Sequence, residues 1–155
     1  MKKLAGLVVV VFLVGCMSAP VPRTIVSSWT IDKPYDQIWS AIVEVFAEKN
    51  LTISAMEKVS GLISTKEISF GADPNGFSDC GGMGINVVND KIGKFNVFLK
   101  QMPDGTCQMH VNAFFLITSY SALDTHRTLY TTNCVSTGKL EAEIWTSVLE
   151  KIQSK

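Results

Sequence analysis

Few residues in this chain are of types and spacings that could do chemistry. Cys80, Cys107, Cys134, His110 and His126 are side chains that ligate zinc. Structural zinc sites take ligands in close pairs such as C-x-x-C or H-x3-H, because one short turn must offer two donors to one tetrahedral ion. No such pair occurs, so no metal is expected. A Cys–His nucleophile needs its base within hydrogen-bond reach of the sulfur. His110 stands three residues from Cys107, an odd separation that puts the two on opposite faces of a strand. Ser121, Asp124 and His126 are triad types, but they are neighbours in one loop, whereas triads converge from separate segments fixed by a scaffold. The stretch Gly71-Ala-Asp-Pro-Asn-Gly76 lacks the Lys-Ser/Thr of a phosphate loop. Read as a calcium loop, the segment places Gly84 where the bidentate glutamate belongs. The expectation is therefore no catalytic residue and no cofactor. Its glycines read as turn and close-approach residues. A long loop of this kind on a small scaffold is also where binding tends to sit.

One position carries a specific signature. Met1-Lys2-Lys3 is a short positive start, and the apolar run Leu4–Val14 follows. A bilayer-spanning helix needs about 20 apolar residues, so this run is too short to cross. The pattern is that of an export signal. Its end, Leu13-Val14-Gly15-Cys16, resembles the lipobox of bacterial lipoproteins. The resemblance implies cleavage before Cys16, a diacylglycerol thioether on its sulfur and an acylated new N-terminus. Each buried methylene contributes about 0.8 kcal/mol, so two or three chains hold a protein on a membrane where one does not. Met17, rather than Asp, follows the cysteine, which in enteric lipoproteins implies the outer membrane.

Removing residues 1–15 leaves 12 basic and 14 acidic side chains, a net charge near −2. No basic run occurs, so nucleic acid is not an expected partner. Export places the three remaining cysteines in an oxidising compartment, where a disulfide is expected. Cys107 belongs to an alternating run with Met109, Val111, Ala113 and Phe115, and reads as a buried thiol in the middle of a strand. Cys80 lies in the Gly-rich loop and Cys134 at the end of a later strand. The expected bond is Cys80–Cys134.

The elements that must position these residues follow from periodicity. Residues 24–31 alternate as a strand. Asp32-Lys33-Pro34 starts a helix over 34–49, with Tyr35, Ile38, Trp39, Ile42, Val45 and Phe46 on one stripe. Strands are expected at 51–56 and 62–70, then a long irregular stretch at 71–84. A short strand at 85–88 precedes a hairpin, 94–101 and 106–118, turned by Pro103-Asp104-Gly105. A strand at 127–134 and a helix over 138–153, capped by Ser136-Thr137-Gly138, complete the chain. The expected fold is an α+β two-layer sandwich, a mostly antiparallel sheet of at least five strands with both amphipathic helices on one face. The expected organisation is a signal peptide at 1–15, a lipidated linker at 16–23 and a single domain at 24–155. The linker, stiffened by Pro20 and Pro22, would hold the domain within a couple of nanometres of the lipid, at about 3.1 Å per residue.

The segment Trp29-Thr-Ile-Asp-Lys-Pro-Tyr-Asp-Gln-Ile-Trp39, followed by Gly61-Leu-Ile-Ser-Thr, resembles small bacterial outer-membrane lipoproteins. It also resembles the repeated domain of BamC, a lipoprotein of the outer-membrane β-barrel assembly machine. The likeness covers under a third of the chain. It implies a strand, a helix with an inward tryptophan and a hairpin, in a protein of the cell envelope.

Phe98 and Phe114 fall opposite the core-facing residues of their strands. If helices cover one face only, both aromatics are exposed among polar neighbours and form a candidate partner surface. The expected function is a non-enzymatic binding or scaffolding domain, anchored to the membrane through Cys16, with an envelope protein as partner. The alternative is a periplasmic carrier of a small apolar ligand, held between the sheet and a helix.

Overall fold

The structure, a computed structural model, describes residues 18–71, 73 and 75–154. The expected signal peptide at 1–15 and Cys16 lie outside the described residues. Eight strands and two helices follow in the order β1 (Ser28–Ile31), α1 (Tyr35–Glu48), β2 (Ile53–Glu57), β3 (Leu62–Thr65), β4 (Ile68–Ser69), β5 (Ser78–Asp79), β6 (Asn86–Gln101), β7 (Cys107–Ser121), β8 (Tyr130–Ser136) and α2 (Lys139–Gln153). Every pairing is antiparallel, in the order β2-β3-β6-β7-β8-β5, with β1 also on β7 and β4 on β6. Both helices pack on one face, which makes the α+β two-layer sandwich. Among the described residues no helix is long and apolar enough to cross a membrane.

The helices form where the stripes predict. In α1, Ile38, Trp39, Ile42, Val45 and Phe46 are buried, and Ala41 fills the space between them. Asn50, at φ 52°, ends the helix. The Leu51 N–H donates to the Phe46 carbonyl and the Asn50 N–H to the Ala47 carbonyl, which satisfies carbonyls the helix would leave open. In α2, Leu140, Ile144, Val148 and Ile152 are buried. The two stripes meet Phe95, Val97 and Leu99 of β6 and Met109, Val111 and Phe115 of β7 in one core. Phe46 meets Phe95 edge-on at 5.4 Å, and Trp29 stacks on Trp145 at 5.2 Å, tying β1 to α2.

The hairpin is longer than expected. The separate strands predicted at 85–88 and 94–101 are one 16-residue strand, β6. Polar residues and Gly93 interrupt its apolar pattern, yet pairing with β7 runs its whole length across a bulge between Val88 and Asp90. The single strand predicted over 62–70 is two, broken at Lys66-Glu67. At the hairpin turn Asp104 Oδ1 accepts the Thr106 N–H at 3.0 Å and its hydroxyl at 2.7 Å, with Gly105 at φ 87°. Gly61 must be glycine: φ is 74° and a Cβ would overlap the Leu99 carbonyl oxygen, whose residue donates its N–H to the Gly61 carbonyl.

The 71–84 stretch is better held than its composition suggested. Phe77 is buried and meets Phe70 edge-on at 5.7 Å. Ser78 and Asp79 form β5 along the edge of β8. Asp73 accepts N–H bonds from Phe77 (2.9 Å) and Ser78 (3.1 Å), the Ser78 hydroxyl (3.0 Å) and the Lys91 ammonium (3.1 Å).

Candidate functional site

The helices cover one face of the sheet and leave the other open. Cross-strand register arranges that open face in rows. Leu62, Phe98, His110 and Ser28 form one row across β3, β6, β7 and β1. Ser64, Asn96 and Asn112 form the next, Lys94 and Phe114 the third, and Ser69, Ile92, Leu116 and Asn133 the fourth. Phe98 is 37% exposed and Phe114 53%, while Phe95, Val97, Val111 and Phe115 beside them are buried. The predicted faces of both aromatics are therefore those observed.

The two rings do not form one pair. Four residues along the strand and one strand step separate them by about 14 Å, with the Asn96–Asn112 row between. Phe98 lies near His110, ring centroids 6.4 Å apart and tilted. Phe114 lines a cleft of about 370 Å³ with Ile92 and Leu116, bordered by Lys94, Glu67 and Asn133. Leu116 shares the parity of Phe114, so alternation alone could have found it. Ile92 was hidden because the strand was expected to start at 94. This face offers apolar contact and amide hydrogen bonds around two opposite charges, Lys94 and Glu67. Such a surface suits recognition.

Cys80 and Cys134 are disulfide-bonded, with Cα atoms 4.2 Å apart. The position of Cys134 differs from the expected strand end. It is the fifth residue of β8, opposite Phe115, and Cys80 meets it because β5 continues its register, Ser78 on Ser136 and Asp79 on Val135. Cys107 is a free, fully buried thiol on the apolar face, with Sγ 3.7 Å from the Lys33 carbonyl. It opens β7 rather than sitting mid-strand. Burial pushes its thiol pKa up, which keeps it protonated.

The triad types in the 121–126 loop bond chiefly to the local backbone, and His126 Nδ1 lies 4.0 Å from Asp124 Oδ1. Ser121 Oγ accepts the Leu123 N–H at 3.3 Å. Asp124 accepts the backbone N–H groups of His126 (2.9 Å) and Thr128 (2.8 Å), a local turn cap. Bonds from Thr128, side chain first, then from the His126 N–H, hold its carboxyl below the usual range. Among the described residues no group of three or more Cys, His, Asp or Glu is placed to hold a metal.

Two buried carboxylates escaped the sequence reading. Glu141 is fully buried in the first turn of α2, where the Ser136 hydroxyl donates to it at 2.7 Å from Oε1 and 2.9 Å from Oε2. That hydroxyl also accepts the Gly138 N–H at 3.1 Å, so Ser136 joins strand to helix. Asp73 is the other. Burial pushes its pKa up, but bonds from the Phe77 N–H, Lys91 and Ser78 outweigh this and leave it below its ordinary value. Both carboxylates take their hydrogen bonds from neighbouring groups of the chain itself.

Residues 18–23, expected as a linker, lie along the disulfide loop. The Gly82 N–H donates to the Ser18 carbonyl and hydroxyl, both at 2.9 Å. The Val21 N–H reaches Asp79 at 3.4 Å, and Arg23 lies 3.6 Å from the same carboxylate. Gly81, at φ 73°, has no room for a Cβ, which would overlap the Ser18 carbonyl oxygen. Compared with models of known protein families the chain matches none, and compared with curated proteins it matches none.

Proposed function

We propose that this chain is a lipid-anchored, non-enzymatic binding domain of the bacterial cell envelope, which presents the open face of its sheet to an envelope protein. The observation that carries this reading is the uncovered face itself, with an apolar cleft at Phe114 and a second aromatic patch at Phe98. Exposed apolar patches framed by polar side chains are typical of partner surfaces. The lipobox-like Cys16 supports the anchor, and Met17 after it supports the outer membrane. The inward Trp39 fits the likeness of residues 29–39 to envelope lipoproteins. In a crosslinking pull-down of the lipidated protein from its own envelope, Phe114→Asp and Phe98→Asp should each deplete the same partner band while the protein stays folded. Undiminished capture by both variants would rule out the open face as the partner surface.

A second reading, carriage of a small apolar ligand, has one observation in its favour. A cleft of about 270 Å³ opens between the start of α2 and the sheet, lined by Leu51, Ile68, Phe70, Phe77, Leu140 and Ile144. Its volume is just under the ordinary range for ligand pockets, roughly 300–1,000 Å³. Mass spectrometry of solvent extracts from the purified protein tests it. A stoichiometric apolar molecule favours carriage, and an empty extract favours the binding domain.

A further inference from the structure

One end of the sheet carries a group of exposed apolar side chains and lies next to the point where the chain leaves for Cys16. There β6 begins, β7 ends and β8 begins. The Ala122 N–H donates to the Ile85 carbonyl at 3.1 Å, Val87 pairs with Tyr120, and Tyr130 pairs with Ser119. Ile85 is 61% exposed and Leu123 81%, and Val87, Leu129 and Tyr130 are exposed beside them. Arg127 lies over the Tyr120 ring, 5.4 Å from its centroid. The carboxylate in the adjoining loop, Asp124, already accepts two backbone N–H bonds.

The occupant of this surface follows from chain length. Ser18 is fixed on Gly82, three residues before Ile85. Cys16 is two residues before Ser18, so the covalent chain allows it no more than about 7 Å from Ser18. Gly82 and Ile85 are in turn within about 10 Å by the same measure. A lipid on Cys16 would therefore bring the bilayer surface to this end of the sheet. Phe98 lies twelve residues along β6 from Asn86, about 40 Å away. The open-face patch at Phe98 and this end cannot serve the same surface.

We propose that this end of the sheet is a second membrane contact, docked on the bilayer that carries the Cys16 lipid. The proposal rests on the lipid-anchored reading above and adds an orientation to it. Ile85 and Leu123 enter the boundary of the acyl chains, and Tyr130 and Arg127 sit at headgroup level, where a ring with one polar end and a guanidinium are favoured. The strands then stand away from the membrane and hold the Phe98 patch out towards soluble partners. Ser18, clamped by the disulfide loop, fixes this pose.

The test uses the lipidated full chain in phosphatidylethanolamine–phosphatidylglycerol vesicles, with or without bromine on the acyl chains. Leu123→Trp and Ile85→Trp are the probes, both at exposed positions. Val59→Trp, at the 97% exposed turn between β2 and β3, is the control at the far end. Native Trp29, Trp39 and Trp145 supply a constant background. Side chains that enter about 5–10 Å into the headgroup–acyl boundary come close to the bromines, so each probe should lose roughly half its added emission. The control should lose none. If the chain floats with the vesicles yet both probes are quenched no more than Val59→Trp, the contact is overturned and the anchor stands. If the wild-type chain does not float, the anchor fails and the contact with it.

Discussion

Replacing Cys80 and Cys134 together by serine should destabilise the domain by roughly 4 kcal/mol. The bond closes a loop with a sequence separation of 54 residues, and the chain-entropy treatment gives about that figure for a loop of this size. Other contacts hold the loop in the folded state without the bond. Phe77 stays buried, β5 still pairs with β8, and Asp73 still gathers Phe77, Ser78 and Lys91. Small domains have about 5–15 kcal/mol of stability, so the variant should fold. Urea unfolding followed by tryptophan emission should show a lower midpoint and a steeper dependence on urea, because the unlinked denatured chain exposes more surface. Hydrogen exchange should speed up at residues 78–84 and at 18–21, which hang on them, while α1 and the centre of β6 keep their protection. A loss below about 1 kcal/mol would contradict this, since the loop-closure entropy would then not be limiting. So would faster exchange spread evenly over α1 and β6.

Other outcomes follow from single contacts. Asp73→Asn leaves the Lys91 ammonium without its carboxylate and should cost about 1–3 kcal/mol at neutral pH by urea unfolding. Because the folded pKa of Asp73 is lowered, its contribution is present above the unfolded carboxylate value near 3.8 and fades as pH falls below it. The gap between wild type and Asp73→Asn should accordingly close in acid, and a pH-independent gap contradicts the assignment. Phe46→Ala, in the fully buried centre, should cost about 3–5 kcal/mol by the same assay, and Phe114→Ala within about 0.5 kcal/mol. Equal losses would mean that Phe114 is covered. Gly61→Ala should lose more than the roughly 1 kcal/mol expected for backbone strain alone, since Leu99 must also move, whereas Gly105→Ala has open space and should lose only the strain. Thermal melts of the two should rank them in that order.

Periodicity made the core legible. The α1 stripe and the run from Cys107 to Phe115 state their buried faces outright, because each repeats its period over several turns or pleats. What escaped was set by partners distant in sequence. Lys91 and Gly93 look like a strand break, yet β6 continues because β7 pairs with every position around them. β5 has two residues and exists only through β8. Phe77 sits among glycines and turn formers, and nothing local marks it as buried. Asp73 and Glu141 look like ordinary surface carboxylates until Lys91 and Ser136 are brought to them. The open face was half visible. Phe98 and Phe114 followed from alternation, but the cleft at Phe114 needed Ile92 and Glu67, which only the sheet register and the break between β3 and β4 place there.

The proposed anchor, membrane contact and envelope location all depend on one sulfur. The direct measurement is the mass of the N-terminal peptide from protein recovered from its own membranes. The expected species is a chain that begins at Cys16 and carries a diacylglycerol thioether with an acylated amine. Cys16→Ala should yield neither this species nor membrane retention. A mature chain that keeps residues 1–15, or one that begins elsewhere with an unmodified Cys16 and still fractionates with membranes, would contradict it.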